Sequence, residues 1–312
     1  MVQSSYILPR NTSGERLVYI RRDGIVYPLH APPWRAVLQQ EGFGTPPLDY
    51  VTDRSPFQHG DTVRSFTAGP RAVQLVVLHN FCSRAEYWTG RQAFLNLLRP
   101  GMAGDPVMGG KLLYYLAGKK KRALDVLLES GPGFTPTEGW QEWSFTEAIR
   151  FVAHEPSWYD PDMHAQSLLY GTPSNELIFP ADFPIWFDQS QDIVQNQVIY
   201  RGTWISYPII EVYGPVTGFR LENLVTGDQI GLSQAVPDGY MVTFDLPGYK
   251  TVYGSDNANW LPFVTPDSDL ATFCLMTAPG ADQGVNQMSL SGTGTSPQSR
   301  VVIKYYDRFF GI

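Results

Sequence analysis

Apolar and polar positions alternate with a period of two through most of this chain, and the pattern is densest in its last third. Short runs at 203–214, 219–232, 240–246, 271–276, 286–291 and 300–310 are separated by turn residues, with Thr226-Gly227-Asp228 inside the second. Regularly spaced short strands of this kind predict an all-β sandwich. Upstream, residues 71–80 put Val73, Leu75 and Val77 on one face, which predicts a half-buried strand. Residues 17–20 and 24–27 flank Arg21-Arg22-Asp23-Gly24, and Asp-Gly is a hairpin signal. Residues 31–60 carry Pro32-Pro33 and Pro46-Pro47 and read as an ordered surface loop.

One segment switches to helical period. Ser83 with Glu86 three residues on forms a capping box, in which side chain and backbone satisfy each other's orphan donors. Tyr87/Trp88, Arg91, Phe94/Leu95 and Leu98 then recur at helical spacing and predict a stripe packed on a sheet, stopped by Pro100-Gly101. Residues 111–117 and 122–129 form a long hairpin around Gly118-Lys119-Lys120-Lys121. Trp140, Trp143, Phe145, Ile149 and Phe151 continue in strand mode to Ala153, and Glu155-Pro156-Ser157-Trp158-Tyr159-Asp160-Pro161 breaks the pattern. The expected domains are 1–165 and 166–312.

Composition narrows the function classes. At 312 residues the length suits two domains. A net charge of −7 argues against a surface built for phosphate backbones, so no specific nucleic-acid partner is expected. Two cysteines far apart, Cys82 and Cys274, exclude a disulfide framework, and Cys82 at the mouth of the helix reads as a buried structural thiol. No window approaches 18 apolar residues and the first ten residues lack a basic-then-apolar leader, so neither a membrane span nor a signal peptide is expected.

Candidate chemistry does not converge. The stretch 104–111 fails as a phosphate loop because Asp105 stands where glycine is needed and Leu112 where Ser or Thr is needed. His30, His59, His79, His154 and His164 show no ligand spacing, so no metal and no cofactor are expected. Glu138, Glu142 and Glu147 beside Trp140 and Trp143 are the ingredients of sugar hydrolysis; they read instead as solvated acids opposite a buried aromatic row. Lys119, Lys120, Lys121 and Arg122 read as a solvated hairpin tip, which doubles as a candidate partner contact. Asp256-Asn257-Ala258-Asn259 lacks a calcium loop's alternation and reads as a turn. Trp186, Tyr253 and Trp260 are candidate sugar-stacking rings in the second domain. No catalytic residue is assigned, and an enzyme is not expected.

The order of these pieces resembles the distal tail protein (Dit) family of long-tailed bacteriophages. The residues that carry it are Gln58-His59-Gly60-Asp61-Thr62-Val63, Gly69-Pro70-Arg71, Leu97-Leu98-Arg99-Pro100-Gly101 and the 155–161 break. In the second domain they are Tyr207-Pro208-Ile209-Ile210 with Gly214, Leu221-Glu222-Asn223-Leu224-Val225-Thr226-Gly227 and Val242-Thr243-Phe244-Asp245-Leu246. Gly284-Val285-Asn286-Gln287 and Val301-Val302-Ile303-Lys304-Tyr305-Tyr306-Asp307-Arg308 close the set. The resemblance implies a mainly β protein: a tail-tube-like barrel or sandwich with one packed helix and a long hairpin, followed by a galectin-like sandwich. It further implies a homo-oligomeric ring of six copies in the virion tail, assembled in the bacterial cytoplasm. Its implied partners are the tail tube protein, the tail-tip hub protein, the tape measure protein, and a receptor-binding protein or cell-surface saccharide. A carbohydrate-binding adsorption module is the alternative. The unpaired strand edges expected of a helix-poor domain favour the ring, since head-to-tail closure pairs such edges.

Overall fold

The computed structural model describes residues 16–31, 34–99, 109–116, 120–134, 144–170 and 196–312, without the side chains of 31–40 and 144–145. The chain divides into two compact units, Met1–Pro161 with Phe309–Ile312, and Asp162–Arg308.

In the first unit the strands are β1 (Arg16–Arg21), β2 (Val26–Pro28), β3 (His30–Ala31), β4 (Trp34–Glu41), β5 (Leu48–Asp53), β6 (Thr62–Ala68) and β7 (Arg71–Asn80). Helix α1 (Arg84–Leu98) follows, then β8 (Gly110–Tyr115), β9 (Lys121–Ser130), β10 (Ser144–Ala153) and β11 (Trp158–Tyr159). One sheet runs in the order β2-β1-β8-β9-β10-β7-β4-β3. Its two ends are consecutive in sequence, separated only by Leu29, which is buried and donates its N–H to the Leu17 carbonyl at 2.9 Å. The sheet therefore curls back on itself, and the long β8–β9 hairpin is an interior member of it, flanked by β1 and by β10. The two end strands of this order, β2 and β3, are short and adjacent, not long edges on opposite sides of an open sheet.

Strand β7 follows its alternation: Val73, Leu75 and Val77 point inward and are fully buried, joined on that face by Arg71 and His79. Helix α1 covers this core with Tyr87, Phe94, Leu97 and Leu98, whereas Trp88 and Leu95 face outward. The cap works with a shift: Ser83 Oγ accepts the Glu86 N–H, while the Glu86 carboxylate takes the Cys82 N–H at 3.0 Å rather than that of Ser83. Residues 31–60 are not a loop. β4 pairs with β7, and β5 pairs with β6; prolines flank these strands without interrupting them.

Arg71 is the least expected core residue, 1 % exposed, with burial lowering its pKa to about 10. Its fork donates to four main-chain carbonyls: Pro156 at 2.6 Å, Gly42 at 2.8 Å, Gly44, and Phe310 at 2.7 Å. Phe309–Ile312 thus fold with the first unit, where Ile312 N–H also donates to Phe43 at 3.0 Å and β21 (Arg308–Phe309) pairs with β11. Gly42 lies at φ +87°, and a Cβ there would fall 2.1 Å from the Ala72 carbonyl. Only glycine brings that carbonyl to the guanidinium.

The second unit is a sandwich. Strands β12 (His164–Leu169), β13 (Asn196–Ile199), β14 (Ile209–Tyr213), β15 (Thr217–Asn223) and β16 (Gln229–Gly231) come first, then β17 (Met241–Asp245), β18 (Thr251–Gly254), β19 (Val285–Thr293) and β20 (Arg300–Tyr305). They form the sheets β12-β20-β14-β17-β18 and β13-β19-β15-β16. Alternate residues such as Ile210, Val212, Phe244, Val301 and Ile303 meet Phe219, Leu221 and Met288 in a common core. Residues 271–276, expected as a strand, are irregular apart from one bridge between Leu275 and Ser206. Two buried asparagines explain it. Asn223 Nδ2 donates to the Cys274 carbonyl at 2.9 Å, and Asn286 receives the Met276 N–H at 2.8 Å and donates to the Met276 carbonyl at 2.9 Å. Side chains here replace the neighbour strand that backbone groups otherwise require.

Arg71→Ala should destabilise the first unit by more than about 3 kcal/mol, because charge-assisted bonds to buried acceptors are lost together. Arg71→Lys should restore less than half of that, since an ammonium lacks the planar fork. Urea midpoints test both, and an unchanged midpoint in R71A would refute the role.

His79 is fully buried, and burial lowers its pKa to about 4. Between the unfolded value near 6.5 and the folded value, only the unfolded chain binds the proton, so stability falls as pH drops through that window, by about 3 kcal/mol. Urea titrations from pH 7 to pH 4 should show this slope reduced in His79→Phe; equal slopes would remove His79 as its source.

Candidate interaction surface

β5 and β6 form a sheet of their own among the described residues. Register fixes the faces of this arm. Leu48 stands opposite Ala68, Tyr50 opposite Phe66, and, past a bulge, Thr52 opposite Val63, so these six share one side. Asp49, Val51, Asp53, Thr62, Ser65 and Thr67 share the other, where Arg64 donates to Asp53 at 2.9 Å. The arm is therefore amphipathic. Its apolar side is exposed all the same: Tyr50 is 58 % and Phe66 49 % accessible, with ring centroids 6.2 Å apart.

The tip is ordered by its own side chains. Gln58 Oε1 accepts the Ser55 N–H at 3.1 Å, Gln58 Nε2 donates to Thr62 Oγ1 at 2.9 Å, and Arg54 Nε donates to the Gln58 carbonyl at 3.3 Å. This lattice holds Phe57 at φ +66°, in left-handed space a bulky residue rarely visits, with its ring fully exposed. Two strands with an exposed apolar side are marginal in water on their own. Local strain and exposed aromatics make the arm the candidate interaction surface of this unit.

The residues singled out from the sequence fall elsewhere. Lys119 lies outside the described residues; Lys120 is exposed and Lys121 half-buried. Arg122 is not a solvated tip residue: it is buried in β9, 3.7 Å from the Asp160 carboxylate, with its guanidinium 3.4 Å from the Phe309 ring centroid. Trp186 lies outside the described residues. Tyr253 is half-buried in β18. Trp260 is 5 % exposed and donates its indole N–H to Tyr240 Oη at 3.1 Å; a ring so covered has no free face for a sugar.

Of the three glutamates, Glu138 and Glu142 lie outside the described residues, as do Trp140 and Trp143. Glu147 is not solvated. It points inward from β10 beside Ile149 and Phe151, and burial raises its pKa against hydrogen bonds from the Phe134 and Gly133 backbone and the Arg91 charge. Cys82 is exposed, not buried, while burial of Cys274 pushes its thiol up to about 11. No group of three or more His, Cys, Asp or Glu side chains poised for a metal occurs among the described residues, nor a helix long and apolar enough to cross a membrane.

With this geometry, the chain matches solved phage tail structures, and its fold is that of a Dit protein. The crystal structure of SPP1 Dit (gp 19.1), described as a paradigm of hub adsorption apparatus in Gram-positive infecting phages, aligns with a TM-score of 0.63. The alignment covers 94 % of this chain and 99 % of that one at 11 % identity. The phage P2 baseplate in its activated conformation with calcium aligns at TM-score 0.47 and 14 % identity over 93 % and 97 % of the two chains. At such identities the likeness is one of fold. No family model and no curated protein matches the sequence.

In the dissociated chain, amides of β5 and β6 should exchange with deuterium about a hundredfold faster than those of β7 and β10, since local opening there exposes no core. Hydrogen-exchange mass spectrometry reads this directly. Equal protection would mean the arm has a hidden partner within its own chain.

Proposed function

We propose that this chain is a non-enzymatic structural subunit of a phage tail, forming a ring of six copies that joins the tail tube to the tail-tip and receptor-binding apparatus. The single observation that carries this reading is the arm: an amphipathic hairpin whose apolar side is exposed in the isolated subunit. The full-length fold likeness to SPP1 Dit, a hub protein by its description, agrees with it. The arm stands outside the main sheet and presents strand edges together with the half-exposed side chains of Tyr50, Val63 and Phe66, a surface suited to contact with another chain. A head-to-tail contact between copies closes into a ring without leaving a growing end. Its partners are then further copies of itself, the tube protein on one side and tip, tape measure and receptor-binding proteins on the other, all within the virion.

Light scattering of the purified chain should give six times its 35.0 kDa mass at micromolar concentration, with six-fold rings in negative stain. Each contact should bury well above about 1,000 Å². A single-chain mass at every concentration, with no rings in the images, would sink the proposal.

A further inference from the structure

A ribbon of two strands takes its direction from the residues at its root. Among the described residues β5 and β6 pair only with each other. Their root is residues 42–47, which lead into β5, and residues 69–71, which lead out of β6. The Gly69 N–H closes it on the Pro47 carbonyl at 2.9 Å.

Phe309–Ile312 grip that root. They follow the second unit in sequence but fold with the first. The Ile312 N–H donates to the Phe43 carbonyl at 3.0 Å. The Phe310 carbonyl accepts from Arg71, whose fork also reaches the carbonyls of Gly42 and Gly44. A Cβ on Gly311 would stand 2.9 Å from the Gly44 carbonyl oxygen, so strap and root meet along their backbones. Side chains hold the strap down. Phe309, Ile312 and Phe43 pack against the core of the unit, the Phe43 ring stacks on Trp158 at 5.5 Å, and Arg122 lies over the Phe309 ring.

Arg308, the residue before the strap, belongs to the second unit. There its N–H donates to Tyr200 Oη at 2.9 Å, and its carbonyl accepts from the Thr203 and Trp204 N–H groups at 2.8 and 3.1 Å. One peptide bond separates this anchor from Phe309, which leaves no slack in the chain.

We propose that Phe309–Ile312 is a latch on the arm, seated to hold its root in one posture and unseated when Arg308 is displaced. Unseating removes the bonds to Phe43 and Arg71 together, and the arm, with its two strands paired only to each other, then swings. The candidate interaction surface is thus presented in one direction or released by a segment far from it in sequence.

Spin-label distances read the posture. Cys82 is exposed and takes one label, Ser65→Cys on the polar side of the arm takes the other, and buried Cys274 stays unlabelled. Where light scattering gives a single-chain mass, the parent should show one narrow distribution; a broad one would overturn the latch. A chain ending at Arg308 should broaden it about twofold, since the root then samples several postures. An unchanged width would overturn the latch. If the shortened chain loses its near-ultraviolet circular dichroism, two point variants decide. Ile312→Pro and Ile312→Ala both discard the side chain, but only proline lacks the N–H that reaches Phe43. The proline variant should give the broader distribution, and equal widths would refute the proposal. Tyr200→Phe loosens Arg308 from within the second unit and should broaden the distribution too; the parental width there would refute displacement of Arg308 as the trigger. None of these measurements requires ring formation, so the latch and the ring reading fail separately.

Discussion

A buried cation whose fork is met by main-chain carbonyls organises the first unit. Arg71 spends its donors on main-chain carbonyls from three places: the loop after β4 at Gly42 and Gly44, the approach to β11 at Pro156, and Phe310. Burying an unsatisfied guanidinium would be prohibitive. The surrounding backbone must therefore converge on it, and the glycine at Gly42 and the inward alternation of β7 are consequences of that demand.

Curling of the main sheet and projection of the arm are two sides of one arrangement. Leu29 joins the ends of the strand order and leaves β8 and β9 in the interior, flanked by β1 and β10. Among the described residues, β5 and β6 stand outside that sheet and form a pair of their own. Tyr50, Val63 and Phe66 share one side of that hairpin, each about half accessible.

Much of the fold is legible in the sequence where period and chemistry agree. β7 and the capped helix α1 are of this kind, as are the hairpins around Asp23-Gly24 and Thr226-Gly227. Legibility fails where tertiary contacts overrule local signals. The prolines at 32–33 and 46–47 suggest a loop, yet strands form between them. Residues 271–276 have strand composition, but Asn223 and Asn286 take over their hydrogen bonds. Glu147 could have been placed correctly, since it shares odd parity with Ile149 and Phe151. The shared apolar face of the arm is not legible in the sequence because half of it is on β5, where the neighbouring prolines read as a loop, and register alone brings the two halves together.

The union of Arg71 with Phe310 also sets a timetable. These two residues are 239 positions apart, so bringing them together closes a long loop and costs chain entropy that a local pair such as β8–β9 does not. The β8–β9 hairpin can therefore form from neighbouring residues alone, whereas the guanidinium is fully coordinated only when three separate stretches of backbone have converged, which makes that site a late step in the folding of the unit.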